Sequence, residues 1–228
     1  MIYKRLFQEK AMSVSDAVKN KYCLLITKGN DSRIYFILYD SKIIKFEDKE
    51  MNIDSIYKSI ISMIKISKSE SGGFIPSSAY MIVESVALPN SGAGVLMYDI
   101  VMSWLKSKNK GLVPDRTSVS KSAQKVWKYY FDNRGDVEKI KIDDIQDDDY
   151  PLTKDKLDDG DINNNLKHDD YKNRNFLNHI YMIKKSLDYS KLTINNNKFF
   201  IFAKKFINVK SIKQNLIDGG NWLFIKLY

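Results

Sequence analysis

The chain of 228 residues contains one cysteine and two histidines, and this scarcity excludes several kinds of site. Cys23 has no second cysteine with which to form a disulfide within the chain. Its apolar neighbours predict a buried strand and argue against a catalytic thiol. His168 and His179 each stand apart from other strong metal ligands, so we predict that the protein has no metal site.

Long apolar runs are also missing from the sequence. No stretch of about 18 apolar residues occurs, so we expect no membrane-spanning helix. The first residues of the chain are interrupted by Gln8, Glu9 and Asp16, which argues against a secretory signal. We therefore expect a protein that is not secreted and that is located inside a cell or in a virion.

Charge is distributed unevenly along the chain. The net charge is +9, yet residues 132–170 hold 14 acidic and 6 basic residues, which leaves +17 on the rest of the chain. A basic body can bind polyanions such as nucleic acid, and an acidic segment can fold back onto it as an internal competitor. The alternative is that the lysines form ordinary solvated surface, since no RNP, zinc-finger or clear helix-turn-helix pattern is present.

Hydrophobic patterning predicts an α/β fold class, with a mixed α+β sheet and flanking helices. Residues 22–40 indicate a β-hairpin, and residues 42–47 indicate a third short strand of the same antiparallel meander. A helix is predicted over residues 53–67, because six apolar residues recur there at helical spacing. Residues 176–187 follow a helical spacing as well.

The stretch from Ala79 to Phe131 carries the most informative pattern. An apolar run over residues 80–88 predicts a strand, the sequence Asn-Ser-Gly-Ala-Gly over residues 90–94 predicts a loop, and residues 95–106 predict a helix. Glycines let a backbone approach a ligand closely, and the first N–H groups of a helix have no partner within it. The pattern therefore predicts a phosphate-binding loop, or else a tight turn that needs glycine without any ligand.

Several short segments together resemble the GNAT superfamily of N-acetyltransferases. They are Glu84 to Pro89, the glycine loop and its helix, the short strand Gly111 to Val113, and Ser120, Ala123 and Trp127 on a further helix. The segments SGAGVLMYD, GLVPDR and VSKSAQKVWKYY are also similar to acetyltransferase-like proteins of tailed phages. The resemblance implies a twisted central sheet with flanking helices, acetyl-coenzyme A as acyl donor, and an amine on a small molecule or a protein as acceptor. It also implies a location in the host cytoplasm or the virion.

In the GNAT superfamily the glycine loop holds the pyrophosphate of acetyl-coenzyme A. Four consecutive backbone N–H groups would hold it here, those of Gly92, Ala93, Gly94 and Val95. Arg116 is a lesser candidate for a phosphate contact, unless it forms a structural pair with Asp115. Pro89 stands where the family usually has Gln or Arg, three residues before the first glycine.

The resemblance also implies catalytic roles. Glu84, on the predicted central strand, corresponds to the residue that acts as a base through water in many members. Tyr129 or Tyr130 is the candidate acid toward the leaving thiolate, because Trp127 replaces the tyrosine that the family often has. The alternatives are that Glu84 faces solvent and that the aromatic residues pack the end of a helix.

The predicted organisation has three parts. Residues 1–142 form a GNAT-like core, residues 143–172 an acidic flexible insertion, and residues 173–228 a helix and strands that complete or extend the sheet. The helix over residues 53–67 departs from the family, which normally has a strand directly before the central one. The resemblance leads to two alternative functions. The first is an acyl-coenzyme A dependent N-acyltransferase. The second is a catalytically inactive structural or accessory phage protein that keeps the fold.

Overall fold

A computed structural model describes residues 11–29, 33–43, 46–47, 50–51, 58–68, 76–115, 119–142 and 175–193. Both helices and strands occur along these residues, so the fold is mixed α/β, as predicted. In chain order, they form α1 (Val14–Lys19), β1 (Tyr22–Lys28), β2 (Ile34–Asp40), β3 (Phe46–Glu47), β4 (Glu50–Met51), β5 (Ile60–Ser67), β6 (Ala79–Ala87), α2 (Ala93–Lys106), β7 (Gly111–Val113), α3 (Lys121–Asn133), β8 (Val137–Lys141) and β9 (His179–Ile183). Two 3₁₀ helices, Asn175–Leu177 and Ser190–Leu192, lie on either side of β9.

Seven of these strands form one mixed sheet, in the order β1-β2-β5-β6-β7-β9-β8. The predicted hairpin is confirmed, because β1 and β2 pair antiparallel from Tyr22 opposite Asp40 to Lys28 opposite Ile34. β6 and β7 are parallel neighbours, whereas β9 is antiparallel to both β7 and β8. Parallel neighbours need a long crossover connection, which α2 provides between β6 and β7.

The chain divides into two compact units. Among the described residues, the first unit holds 66–68, 76–84, 99–115, 119–142 and 175–187. The second unit holds the remaining described residues, which are 11–29, 33–43, 46–47, 50–51, 58–65, 85–98 and 188–193.

In the first unit, the two faces of β9 pack against different neighbours. Ile180 and Met182 join an apolar cluster formed with β6, β7 and the end of β8, whose other members are Ala79, Met81, Val113, Ile140 and Ile142. On the opposite face, Tyr181 packs against Trp127 of α3, with ring centroids 4.8 Å apart. Trp127 is thus a core residue in contact with the sheet.

In the second unit, the β1–β2 hairpin is buried on both faces. Cys23 and Tyr39 lie on one face, in a cluster that also contains Leu25, Ile37 and Met63 and that packs against Val86. Leu24 and Leu38, which alternate with these residues, are also buried. The lone cysteine therefore serves as a core residue of a strand, as its apolar neighbours predicted.

The helix predicted over residues 53–67 is wrong from residue 60 onward, because Ile60–Ser67 forms β5. The isoleucines recur at helical spacing, but they are β-branched and favour strands. β5 is also an inner strand with buried residues on both faces, so the alternation that marks a half-buried strand is missing. Among the described elements, a strand and not a helix therefore precedes β6.

Two other predictions of secondary structure need correction. The helix over residues 176–187 is wrong, because Asn175–Leu177 is a short 3₁₀ helix and His179–Ile183 is β9, another buried inner strand. The third meander strand is shorter than predicted and lies elsewhere, since Phe46–Glu47 pairs with β4 and not with β2. The acidic insertion at 143–172 and the strands predicted after residue 198 lie outside the described residues.

Gly111 provides a test of the packing between β7 and β9. A Cβ atom at this position would overlap Ile180 Cγ2 and would lie 3.0 Å from Met182 Cγ. We expect Gly111→Ala to lower the free energy of unfolding by about 1–3 kcal/mol, the usual cost of overpacking. Gly135→Ala is the matched control, because a Cβ there meets nothing within 4 Å. Urea unfolding of both variants measures the difference, and equal stabilities would contradict the packing described.

Candidate functional site

The loop between β6 and α2 has a backbone that only certain residues adopt easily. Asn90 has φ of 58° and Gly92 has φ of 70°, so both lie in the left-handed region. Glycine adopts this region without steric cost, and asparagine is among the few other residues that tolerate it. The sequence Asn-Ser-Gly at 90–92 is thus required by the turn from strand to helix.

Side-chain and backbone bonds hold this loop at several points. Ser91 Oγ donates to the carbonyl oxygen of Leu88 at 2.7 Å and accepts from the N–H of Ala93 at 3.2 Å. The N–H of Leu88 donates to Ile61 O at 2.9 Å, and the N–H of Met12 donates to Gly92 O at 3.1 Å. The loop is therefore fixed to β5, to the segment before α1 and to itself.

The start of α2 has the electrostatic character of an anion site. Its first turn contains no acidic residue, so no carboxylate competes for the positive end of the helix. Ala93 already donates its N–H to Ser91, so one of the four N–H groups predicted to bind pyrophosphate has a partner within the loop. Gly94 lies close to β6, since a Cβ on it would be 3.6 Å from Ala87 Cβ.

β6 contacts α2 through two of its side chains. Tyr80 contacts Trp104 of α2 with ring centroids 6.4 Å apart, and Ser85 Oγ lies 3.2 Å from the hydroxyl of Tyr98 on the same helix. The first contact lies in the first unit and the second contact in the second unit.

Glu84 lies on β6 and is half-buried. It is the last residue of β6 that belongs to the first unit, whereas Ser85 and the glycine loop belong to the second. Ser85 contacts the hydroxyl of Tyr98, whose pKa is raised to about 12 by burial. The predicted base is thus next in sequence to Ser85, whose hydroxyl contacts the buried hydroxyl of Tyr98.

Tyr129 and Tyr130 are both buried near the end of α3. The hydroxyl of Tyr130 donates to Asp99 Oδ1 at 2.8 Å. The pKa of Tyr129 is raised mainly by burial, although a hydrogen bond with Arg134 acts in the opposite direction. Both predicted acids therefore belong to a polar network inside the first unit.

Arg134 is the centre of that network, between Asp99 of α2 and Asp136 before β8. It contacts Asp99 at 3.0 Å, and its Nε and Nη2 atoms each donate to one oxygen of Asp136 at 2.7 Å. Burial alone would lower the pKa of Arg134, but the bonds with the two carboxylates raise it. Burial raises the pKa of Asp99 despite Arg134, whereas Arg134 lowers the pKa of Asp136. The network ties α2 and α3 to the start of β8.

Sequence reasoning missed this network. In the sequence, the segment Asp132–Asp136 indicates only a turn without a function. Asp99 precedes Arg134 by 35 residues, so the two are not neighbours in sequence. One signal was present in the sequence, because Asp99 is the only acidic residue of the otherwise apolar run from Val95 to Met102. A carboxylate in such a run needs a cation or several hydrogen bonds.

The remaining predictions concern Arg116, metal binding and membrane spans. Arg116, the candidate phosphate contact, lies outside the described residues. Within the described ranges, no group of three or more His, Cys, Asp or Glu side chains is placed to hold a metal ion. No helix in the same part of the chain is long and apolar enough to cross a membrane.

Comparisons of the chain with protein-family models, with curated proteins and with solved structures find no match. A functional assignment must therefore start from the geometry of the glycine loop, of β6 and of the residues around them.

Replacement of Arg134 tests the network. Arg134→Met leaves Asp99 and Asp136 without their cation, and Asp99 is only 18% exposed. We expect a loss of about 3 kcal/mol in the free energy of unfolding, the usual cost of removing one partner from a buried ion pair. The matched control is Lys128→Met on the same helix, whose pair with Asp132 is exposed to solvent. That change should cost less than about 0.5 kcal/mol. Chemical denaturation measures both, and similar losses would show that the network adds no stability of its own.

Proposed function

We propose that the protein is an acyl-coenzyme A dependent N-acyltransferase that transfers an acetyl group directly to an amine. The observation that carries the proposal is the junction of β6 and α2. There, Asn90 and Gly92 adopt left-handed conformations and bring the chain into a helix whose first turn lacks acidic residues. Such a junction presents backbone N–H groups and a positive helix end to a phosphate group.

The arrangement of elements around the junction supports the proposal. A strand, a glycine loop, a helix, a short parallel strand and a second helix follow one another, in the order that the GNAT resemblance implies. β7 ends after pairing with the first three residues of β6, and β6 continues to Ala87. Parallel sheets commonly bind ligands outside the carboxyl ends of their strands, where the loop after β6 lies.

Each proposed residue has a distinct task. Acetyl-coenzyme A, when bound, supplies a thioester whose carbonyl carbon an amine can attack. The backbone of Gly92, Ala93, Gly94 and Val95, at the positive end of the helix, binds and orients its pyrophosphate. Glu84 removes a proton from the amine through a water molecule, so that the nitrogen lone pair can form the new amide bond.

The departing thiolate needs a proton donor, and two tyrosines are candidates. The hydroxyl of Tyr130 already donates to Asp99, so this proton is held inside the network. Tyr129 is therefore the better of the two candidate acids. Burial raises the pKa of its hydroxyl, and the neighbouring charge of Arg134 acts in the opposite direction by favouring loss of the phenolic proton.

The second candidate function is that of a structural or accessory protein, virion-associated in a phage, that keeps this fold without turnover. The specific observation in its favour is the placement of the aromatic residues of α3. Trp127 packs on Tyr181 in the core, and Tyr130 bonds to Asp99. Pro89, which has no N–H, also occupies the position of a phosphate-binding side chain.

Binding of acetyl-coenzyme A to the full chain tests the proposed loop. We expect saturable heat in calorimetry, and Gly94→Asp should weaken binding at least tenfold because it places a negative charge beside the pyrophosphate. Gly94→Ala is the steric control, since its Cβ would be at ordinary contact distance from Ala87. It should change the affinity by less than about threefold. No binding at millimolar ligand would refute the acyltransferase function.

Turnover separates the enzyme from the inactive scaffold. With a panel of amine acceptors, release of free coenzyme A should fall by about 10²-fold or more in Glu84→Gln, because general base catalysis commonly contributes this much. The affinity for acetyl-coenzyme A should stay the same, since the proposed role is only proton removal. A wild-type chain that binds acetyl-coenzyme A but releases no coenzyme A with any acceptor would favour the scaffold.

A further inference from the structure

Three lysines gather at the end of α2 that lies away from the glycine loop. Lys68 follows β5, Lys108 follows α2, and Lys110 precedes β7, all within the first unit. We refer to Lys68, Lys108 and Lys110 as the basic cluster. Tyr80 and Trp104 lie among them, in contact with each other at 6.4 Å between ring centroids.

The ammonium groups of Lys68 and Lys110 converge on a single atom. Lys68 Nζ donates to Ser77 O at 3.1 Å, and Lys110 Nζ donates to the same oxygen at 3.0 Å. Since both nitrogens bond one atom, they are within about 6 Å of each other. Two like charges at this distance repel each other. The pKa of Lys68 is accordingly lowered, first by burial and then by the charge of Lys110.

No acidic partner relieves this repulsion among the residues that the structure describes. The ion pairs of Lys128 and Arg134 do not involve a lysine of the basic cluster. Arg134 meets two carboxylates in the same unit, and neither of them is paired with the basic cluster. Among the described residues, the cluster is therefore a local concentration of positive charge.

Helix capping does not account for this arrangement. Cations are favourable near the negative end of a helix, which explains Lys108 after the last turn of α2. Lys68, however, comes from the end of β5 and is brought to the same place by a different element. The carbonyl that Lys68 and Lys110 share also belongs to Ser77, which precedes β6 and is not part of α2.

Aromatic rings lie directly beside these charges. Lys108 Nζ is 4.5 Å from the ring centroid of Trp104, and Lys68 Nζ is 5.2 Å from that of Tyr80. Both rings are only half-buried, so parts of them face solvent next to the ammonium groups. Lysines with partly exposed aromatic rings between them are typical of surfaces that bind single-stranded nucleic acid.

We propose that the basic cluster binds the phosphate backbone of single-stranded nucleic acid, with little preference for sequence. A phosphate has several oxygens around one centre and can accept from both Lys68 and Lys110 where they converge. Lysine contacts the backbone as a point charge and lacks the forked geometry that reads base edges. Lys108 reaches a neighbouring phosphate, and the exposed parts of Trp104 and Tyr80 contact bases. This activity is independent of acyl transfer.

The test uses the full chain and a fluorescein-labelled oligothymidine, with fluorescence anisotropy as the readout at low salt. The variant is Lys68→Gln, Lys108→Gln and Lys110→Gln combined. The control combines Lys19→Gln, Lys121→Gln and Lys125→Gln, which removes the same three charges at exposed positions elsewhere. Because each lost phosphate contact reduces the salt-dependent part of binding, the cluster variant should bind at least tenfold more weakly. The control should stay within about threefold of wild type, since it keeps the local contacts.

Two further measurements separate the alternatives. The slope of the logarithm of the binding constant against the logarithm of the salt concentration should become shallower by about 2 in the cluster variant. Three phosphate contacts are lost, and each contributes about 0.7 to the slope for a single strand. The combined change of the same three lysines to arginine should retain binding, and thermal melting should show all variants folded. Equal weakening in cluster variant and control would overturn the proposal, because net charge alone would then explain binding. Competition by poly-glutamate as effective as that by unlabelled oligothymidine would also overturn it, in favour of an acidic peptide partner.

Discussion

The parallel pairing of β6 with β7 is the constraint on which the candidate site depends. Two parallel neighbours cannot be joined by a tight turn, so the chain must leave the end of β6, travel back and enter β7 in the same direction. α2 makes this return, and Asn90 and Gly92 supply the left-handed conformations at its start. Topology therefore explains why the chain has a loop of this conformation. It does not explain why the first turn of α2 lacks acidic residues, or why Ser91 and Met12 form hydrogen bonds with the backbone of the loop.

Local patterns predicted the parts of the fold that are determined by neighbours in sequence. The hairpin of β1 and β2 and the succession of β6, glycine loop and α2 follow from alternation, turn residues and helical spacing, and they formed as expected. β5 and β9 were predicted as helices, since inner strands buried on both faces show no alternation. β5 and β9 are strands because strands distant in sequence pack beside them. The pattern of a single sequence does not show which distant segments will be neighbours.

For the polar residues too, groupings of sequence neighbours could be predicted, whereas groupings of distant residues could not. Residues 92–95 could be named from sequence because they are consecutive, and the structure places them together at the start of α2. The partners of Arg134 could not be named, because Asp99 and Asp136 come from two different elements. The basic cluster was equally hidden, since Lys68 and Lys110 are 42 residues apart and meet only through the carbonyl of Ser77. Charge counts along the chain showed an excess of lysine without showing where it concentrates.

The two groups of cations in the first unit differ in a way that indicates different uses. Arg134 is largely buried and fully matched by carboxylates, an arrangement that stabilises a contact between elements and leaves little attraction for a ligand. The basic cluster is near solvent and has no carboxylate in the described part of the chain, so its field extends outward and is screened only by salt. A fold that needed these lysines only for stability would have gained from one acidic neighbour, because like charges within about 6 Å cost free energy. Within the described part of the chain, this pair of lysines lacks such a neighbour, which is the arrangement expected of a site that binds an anion.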